Sequence, residues 1–88
     1  KYNSGTNQIS FTPIATGRVA YFYTNSTANY GTSDAFINAY HSASTAQIMD
    51  VLQGQGNTIS VTLTNYKYVW LYLYTTDSTY TPVRVQIG

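Results

Sequence analysis

Hydrophobic and polar residues alternate over much of this chain, most strictly in its C-terminal half. From Thr58 to Thr64, Ile59, Val61 and Leu63 share one face of an extended segment, and Thr58, Ser60, Thr62 and Thr64 share the other. That period of two is the signature of a half-buried strand. After Asn65-Tyr66-Lys67 the alternation resumes, with Val69, Leu71 and Leu73 against Tyr68, Trp70, Tyr72 and Tyr74. The short connector predicts a β-hairpin between the two segments. Asp77 to Thr81 reads as a turn, and Pro82 stands where a strand can begin without losing a ladder donor. Val83, Val85 and Ile87 then form an inward face, with Arg84 and Gln86 outward.

The N-terminal half gives the same reading. Ile9 and Phe11 alternate with Ser10 and Thr12 until Pro13 ends the run, and Val19, Tyr21 and Tyr23 alternate with Ala20 and Phe22 in a strand opened by Gly17. Asn25 to Ser33 is a polar loop, and Ala35, Ile37 and Ala39 oppose Phe36, Asn38 and Tyr40 in a further predicted strand. Ser44 to Gly54 admits two readings. As a strand it pairs Ile48 and Leu52 with the next segment across the turn at Gly54 to Asn57. As a short helix it has Ser44 and Gln47 at capping-box spacing, Ile48, Val51 and Leu52 on one face, and Gly54 to close it. The strand is preferred. About seven short strands separated by turns, with at most one short helix, predict an all-β antiparallel sandwich of jelly-roll or immunoglobulin-like type. Residues 1–88 form one domain, in which residues 1–12 are a candidate N-terminal arm or donated strand.

Composition changes this picture chiefly through charge. Only 8% of residues are charged, against about 25% in ordinary soluble chains, although 43% are apolar. A surface this neutral is expected to be covered, glycosylated or held in an assembly. Four scattered cations, Lys1, Arg18, Lys67 and Arg84, make no basic stripe, so nucleic acid is not an expected partner. No apolar run approaches the roughly 20 residues of a membrane helix. Without cysteine there are neither disulfides nor thiolate metal sites. The Ser, Thr, Asn and Tyr bulk, a start at Lys1 that suits a mature product or an excised module, and the sequon Asn25-Ser26-Thr27 point to a secreted or surface protein with Asn25 a glycosylation candidate.

Catalysis is not expected. The chain has no Glu, a single His41, and three Asp (Asp34, Asp50 and Asp77) in separate segments. No nucleophile-elbow, phosphate-loop or metal-ligand spacing is present, so neither cofactor nor metal is expected.

The informative constellation is Tyr66, Tyr68, Trp70, Tyr72 and Tyr74. Alternate strand residues are about 6.6 Å apart on one face, so five of them tile a stripe of roughly 26 Å. Packing alone accounts for such a stripe where a second layer covers it. Two functional accounts compete with that one. In the first, the protein is a non-catalytic extracellular structural subunit of a filament, pilus or coat. It self-assembles through aromatic contacts and strand complementation, with Ile9 and Phe11 on the donor strand. In the second, it is a carbohydrate-binding module that stacks polysaccharide on Trp70, flanked by Tyr68 and Tyr72. The closing pattern Val69-x-Leu71-x-Leu73, Tyr80, Val83-x-Val85-x-Ile87, about a quarter of the chain, resembles the end of small secreted β-sandwich modules such as pre-peptidase C-terminal domains. That resemblance rests on alternation and implies a secreted sandwich fold.

Overall fold

In chain order, the computed structural model, which describes residues 1–88, has β1 (Tyr2–Asn3), β2 (Gln8–Phe11), β3 (Gly17–Thr24), α1 (Ser33–Ser42), β4 (Gln47–Val51), β5 (Asn57–Ser60), β6 (Tyr68–Tyr74) and β7 (Val83–Gln86). The chain is mostly β, with two antiparallel sheets and one short helix. Three strands order as β1-β2-β5 and four as β4-β3-β6-β7. The longest ladder joins β3 to β6, from Arg18 opposite Tyr74 to Thr24 opposite Tyr68.

Residues opposite one another in a ladder share a face, so the register assigns the two faces of the larger sheet. Val19, Tyr21 and Tyr23, paired with Leu73, Leu71 and Val69, look towards the smaller sheet. There Tyr23 and Val69 join Ile9, Ile59 and Val61 in one buried cluster. Ala20 and Phe22, paired with Tyr72 and Trp70, look the opposite way and are covered by α1 through Phe36. The larger sheet is therefore apolar on both faces in its middle.

The helix replaces the strand expected over Ala35 to Tyr40. Both periods fit that stretch, because Phe36, Ala39, Tyr40 and Ala43 share a helical face as readily as Phe36, Asn38 and Tyr40 share a strand face. Local chemistry decides for the helix. The Thr32 hydroxyl accepts the Ala35 amide at 3.2 Å, Asp34 sits in the first turn and His41 in the last, which suits the helix dipole. Phe36 and Tyr40 stack one turn apart, with ring centroids at 5.8 Å. A helix of 10 residues is marginal by itself, so its packing over Phe22, Trp70 and Tyr72 is what holds it.

Two expected pairings are also replaced. β5 and β6 do not form a hairpin: β5 ends at Ser60 in the smaller sheet, and the chain crosses to the larger one before β6 starts at Tyr68. This crossing lets Ile59 and Val61 pack across the core onto Val69 instead of beside it. Residues 47–51 are a strand, as preferred, but β4 pairs with β3 and not with the segment after Gly54. Gly54, at φ 78°, turns the chain out of β4, and its amide donates to the Pro13 carbonyl at 2.9 Å. At Gly17 a side chain would collide with the Tyr74 carbonyl, which fixes glycine at the opening of β3.

Phe36→Ala should cost about 3 to 5 kcal/mol, the usual range for emptying a fully buried phenylalanine site. Because α1 depends on that contact, the loss in urea denaturation should be accompanied by a fall in helical circular dichroism.

Candidate functional site

The five aromatics of the expected stripe separate into four environments. Trp70 and Tyr72 are 4% and 5% exposed, beneath α1. Tyr72 shares a 3.0 Å hydrogen bond with Ser33, which ties the start of α1 to β6, while Tyr30 packs edge-on to the Trp70 ring at 5.7 Å. The indole nitrogen of Trp70 has no partner, at a cost of about 1 to 3 kcal/mol, so this side chain is held for the apolar area it buries. With its ring faces covered, Trp70 is not a platform for a sugar. Tyr68 is half-buried beneath the Arg84 guanidinium, 4.5 Å from the ring centroid. Tyr66 precedes β6 and lies against Tyr23, with centroids 5.9 Å apart. Tyr74, 53% exposed, has the most open ring of the five.

Ile9 and Phe11, the candidate donor residues, lie in a strand flanked on both sides by the same chain. Ile9 pairs with Tyr2 and Ile59, and Phe11 pairs with Asn57. β2 is thus the middle of the smaller sheet, and deleting residues 1–12 would remove a core strand. Asn25, the sequon residue, is a clip: its amide nitrogen donates to the Asn65 carbonyl at 3.3 Å and its oxygen accepts the Lys67 amide at 2.9 Å. It fastens the crossing before β6 to the end of β3. Thr45 has a similar role just before the start of β4, accepting the Tyr23 amide at 2.9 Å and donating to the Tyr23 carbonyl at 3.0 Å.

The ionisable groups do not converge. Asp34 lies in the first turn of α1, Asp77 in the β6–β7 turn, and Asp50 on β4 faces Arg18 at 3.3 Å with both side chains well exposed. His41 is exposed at the end of α1. No three His, Cys, Asp or Glu side chains come together as a metal site would require. No helix is long and apolar enough to cross a membrane.

What the structure does assemble is an apolar cleft of about 410 Å³ between the two sheets, beside β7. Its walls include Ile9 and Phe11 of β2, Val19 of β3, Leu71 and Leu73 of β6, and Val85 of β7. Val83, expected inward, is 58% exposed at this cleft, and Ile14 is 69% exposed. The physical reason is coverage: three strands, one of only two residues, cannot roof four, so the β7 margin stays open. β7 pairs only with β6, which leaves its other edge without ladder partners. Sequence alternation marked Val83 and Val85 as inward; Val85 does pack against the core between the sheets, while Val83 has no cover. A smaller polar hollow of about 330 Å³ includes Thr24, Tyr30, Ser42, Thr45 and Tyr66 in its lining.

In comparisons with protein-family models, curated proteins and solved structures, the chain matched none.

Burial holds the Tyr21 phenol above the usual tyrosine value, and the nearby Tyr23 adds to the effect. A raised folded-state value means that the unfolded chain gives up this proton first. The stability it contributes is therefore complete below the unfolded tyrosine value and is lost as pH rises through the folded one. Urea midpoints measured from about pH 9 to about pH 11 should fall, and fall less in Tyr21→Phe than in wild type.

Proposed function

We propose that this protein is a non-catalytic structural subunit, secreted or displayed at a cell surface, that assembles with copies of itself by adding strands at its sheet margins. The observation that carries the reading is the open apolar cleft beside the unpaired edge of β7. An unpaired strand is a template for main-chain hydrogen bonds, and an apolar cleft next to it accepts alternate side chains of an incoming strand. On a monomer that must stay apart from its copies, such an edge is usually blunted by charge, proline or a covering loop. Here β7 carries one charge, Arg84, and its proline precedes the strand. The scarcity of charge over the whole chain supports the same reading, since assembled subunits turn much of their surface towards one another. The architecture that suits it is a β-sandwich of jelly-roll or immunoglobulin-like type, carrying α1 on its outer face. The serine-, threonine- and asparagine-rich composition is the support for an extracellular setting.

Sedimentation velocity and electron microscopy across a wide concentration range test this directly. The expected result is ordered species that grow with concentration. A 9.8 kDa monomer at every concentration would remove the proposal.

Saccharide binding keeps one specific observation in its favour, and that observation lies away from Trp70. In the smaller hollow the rings of Tyr30 and Tyr66 stand beside the hydroxyls of Thr24, Ser42 and Thr45, without a charged residue in the lining. Rings and neutral hydrogen-bonding groups are what a sugar uses. On that reading, retention on insoluble neutral polysaccharide should be lost in Tyr66→Ala with the fold intact; equal retention by variant and wild type would dismiss it.

A further inference from the structure

The self-assembly reading leaves open which edge meets β7, and the topology answers it. The larger sheet has four strands in the order β4-β3-β6-β7, every neighbouring pair antiparallel. Its two edge strands therefore run in opposite directions. A second copy displaced sideways within the sheet, without being turned over, brings its β4 antiparallel to β7 of the first. The same displacement keeps the helix-bearing face of both copies on one side. We propose that subunits join in this way, β7 of one copy to β4 of the next, so that the larger sheet continues through the assembly as an open, directional polymer. This proposal rests on the self-assembly reading above and adds the identity of the contact.

Three observations favour this pairing over a symmetric one. First, the edges carry opposite charge: Arg84 on β7 and Asp50 on β4, both on the helix-bearing face, since Arg84 pairs with Trp70 and Asp50 with Arg18. A β7-to-β7 contact sets arginine near arginine, and a β4-to-β4 contact sets aspartate near aspartate. Only the mixed contact brings unlike charges together, which is how edge charges select a partner. Second, each edge strand has a large apolar side chain without cover, Val83 at 58% exposure on the face towards the smaller sheet and Ile48 at 51% on the helix-bearing face. A joint that uses both edges reaches both, where a symmetric one reaches a single kind. Third, both margins of the space between the sheets are open. The cleft beside β7 has a counterpart of about 450 Å³ at the β4 margin, lined by residues such as Tyr21, Gln47, Met49 and Ile59. In a head-to-tail joint the two openings lie at the same boundary, and each copy closes the other's flank. Because the contact joins two different edges, every added copy leaves one of each free, and the assembly propagates as a filament.

Two single variants at exposed positions separate the possibilities. V83K blocks β7 and I48K blocks β4, and far-UV circular dichroism of each confirms the fold. Head-to-tail joining predicts that wild type polymerises, that each variant alone is monomeric, and that an equimolar mixture gives dimers and nothing larger. A dimer formed by I48K alone would establish β7-to-β7 pairing and overturn the proposal, and a dimer formed by V83K alone would do the same for β4. If both variants polymerise like wild type, the contact lies elsewhere, and self-assembly stands while this joint does not. If wild type itself stays monomeric, the self-assembly reading falls first. Hydrogen exchange on the wild-type polymer gives an independent check without substitution. Residues 47–51 and 83–86 should gain protection, and gain at 57–60 in their place would overturn the joint.

Discussion

The antiparallel ladder between β3 and β6 buries side chains on both of its faces, and the rest of the structure answers to that requirement. One face, with Tyr23 and Val69, is covered by the smaller sheet; the other, with Phe22, Trp70 and Tyr72, is covered by α1. Neither cover is a strong element alone. β1 has 2 residues, β2 and β5 have 4 each, and α1 is shorter than helices that persist in isolation. Each forms because it covers apolar surface that the central ladder would otherwise expose to water.

The same dependence explains what the alternating sequence does and does not disclose. A strand whose two faces are both apolar shows a weak distinction between inside and outside, and β6 is such a strand: Val69 and Trp70 are adjacent and both buried. Alternation correctly marks β2, β3, β5, β6 and β7 as extended, and it marks Val69, Leu71 and Leu73 as a core face. It does not mark the cover over Trp70, which comes from Phe36, more than thirty positions earlier in the chain. That cover was further hidden because residues 35–40 satisfy both periods, and the decisive signal, Thr32 followed by Asp34 at a helix start, occupies only a few residues. The expected hairpin failed for a related reason. Strands adjacent in sequence and joined by a short polar segment are usually partners, but β3 occupies one side of β6 along its whole length and β7 takes the other. β5 is left to the second sheet.

The candidate site was legible only in part, because it is defined by what is missing. Val83, Val85, Leu71 and Leu73 were readable as a face that seeks cover. That the smaller sheet stops short of it depends on the widths of two sheets, which no local pattern records. Tyrosine-rich composition drew attention to β6, whereas the open surface lies at the margins, on strands with modest sequences such as Val83–Gln86 and Gln47–Val51. The glycosylation candidate shows the same effect at smaller scale. Asn25 reads as an acceptor in sequence, while in the fold both ends of its amide hold the crossing before β6.

Charge is where composition and topology meet. A chain with 8% charged residues has few means to keep sheet edges apart, so the position of each charge matters more than its number. Arg18 and Asp50 pair across the β3–β4 ladder, and Arg84 lies over Tyr68 beside β7. Three of the seven formal charges thus lie on one face of the larger sheet, towards its two edges and with unlike signs on the edge strands themselves. Exposed pairs of this kind contribute little to the stability of a single copy, about 0 to 1 kcal/mol each. Their effect is larger on which edges tolerate contact, because like charges facing each other across a new ladder oppose it at every copy of the joint. An even number of antiparallel strands gives the two edges opposite directions, so a copy displaced sideways meets the sheet in antiparallel register. The geometry that gives β3 and β6 their covers is thereby the geometry that leaves β4 and β7 at the edges of the sheet, where the proposed joint would form.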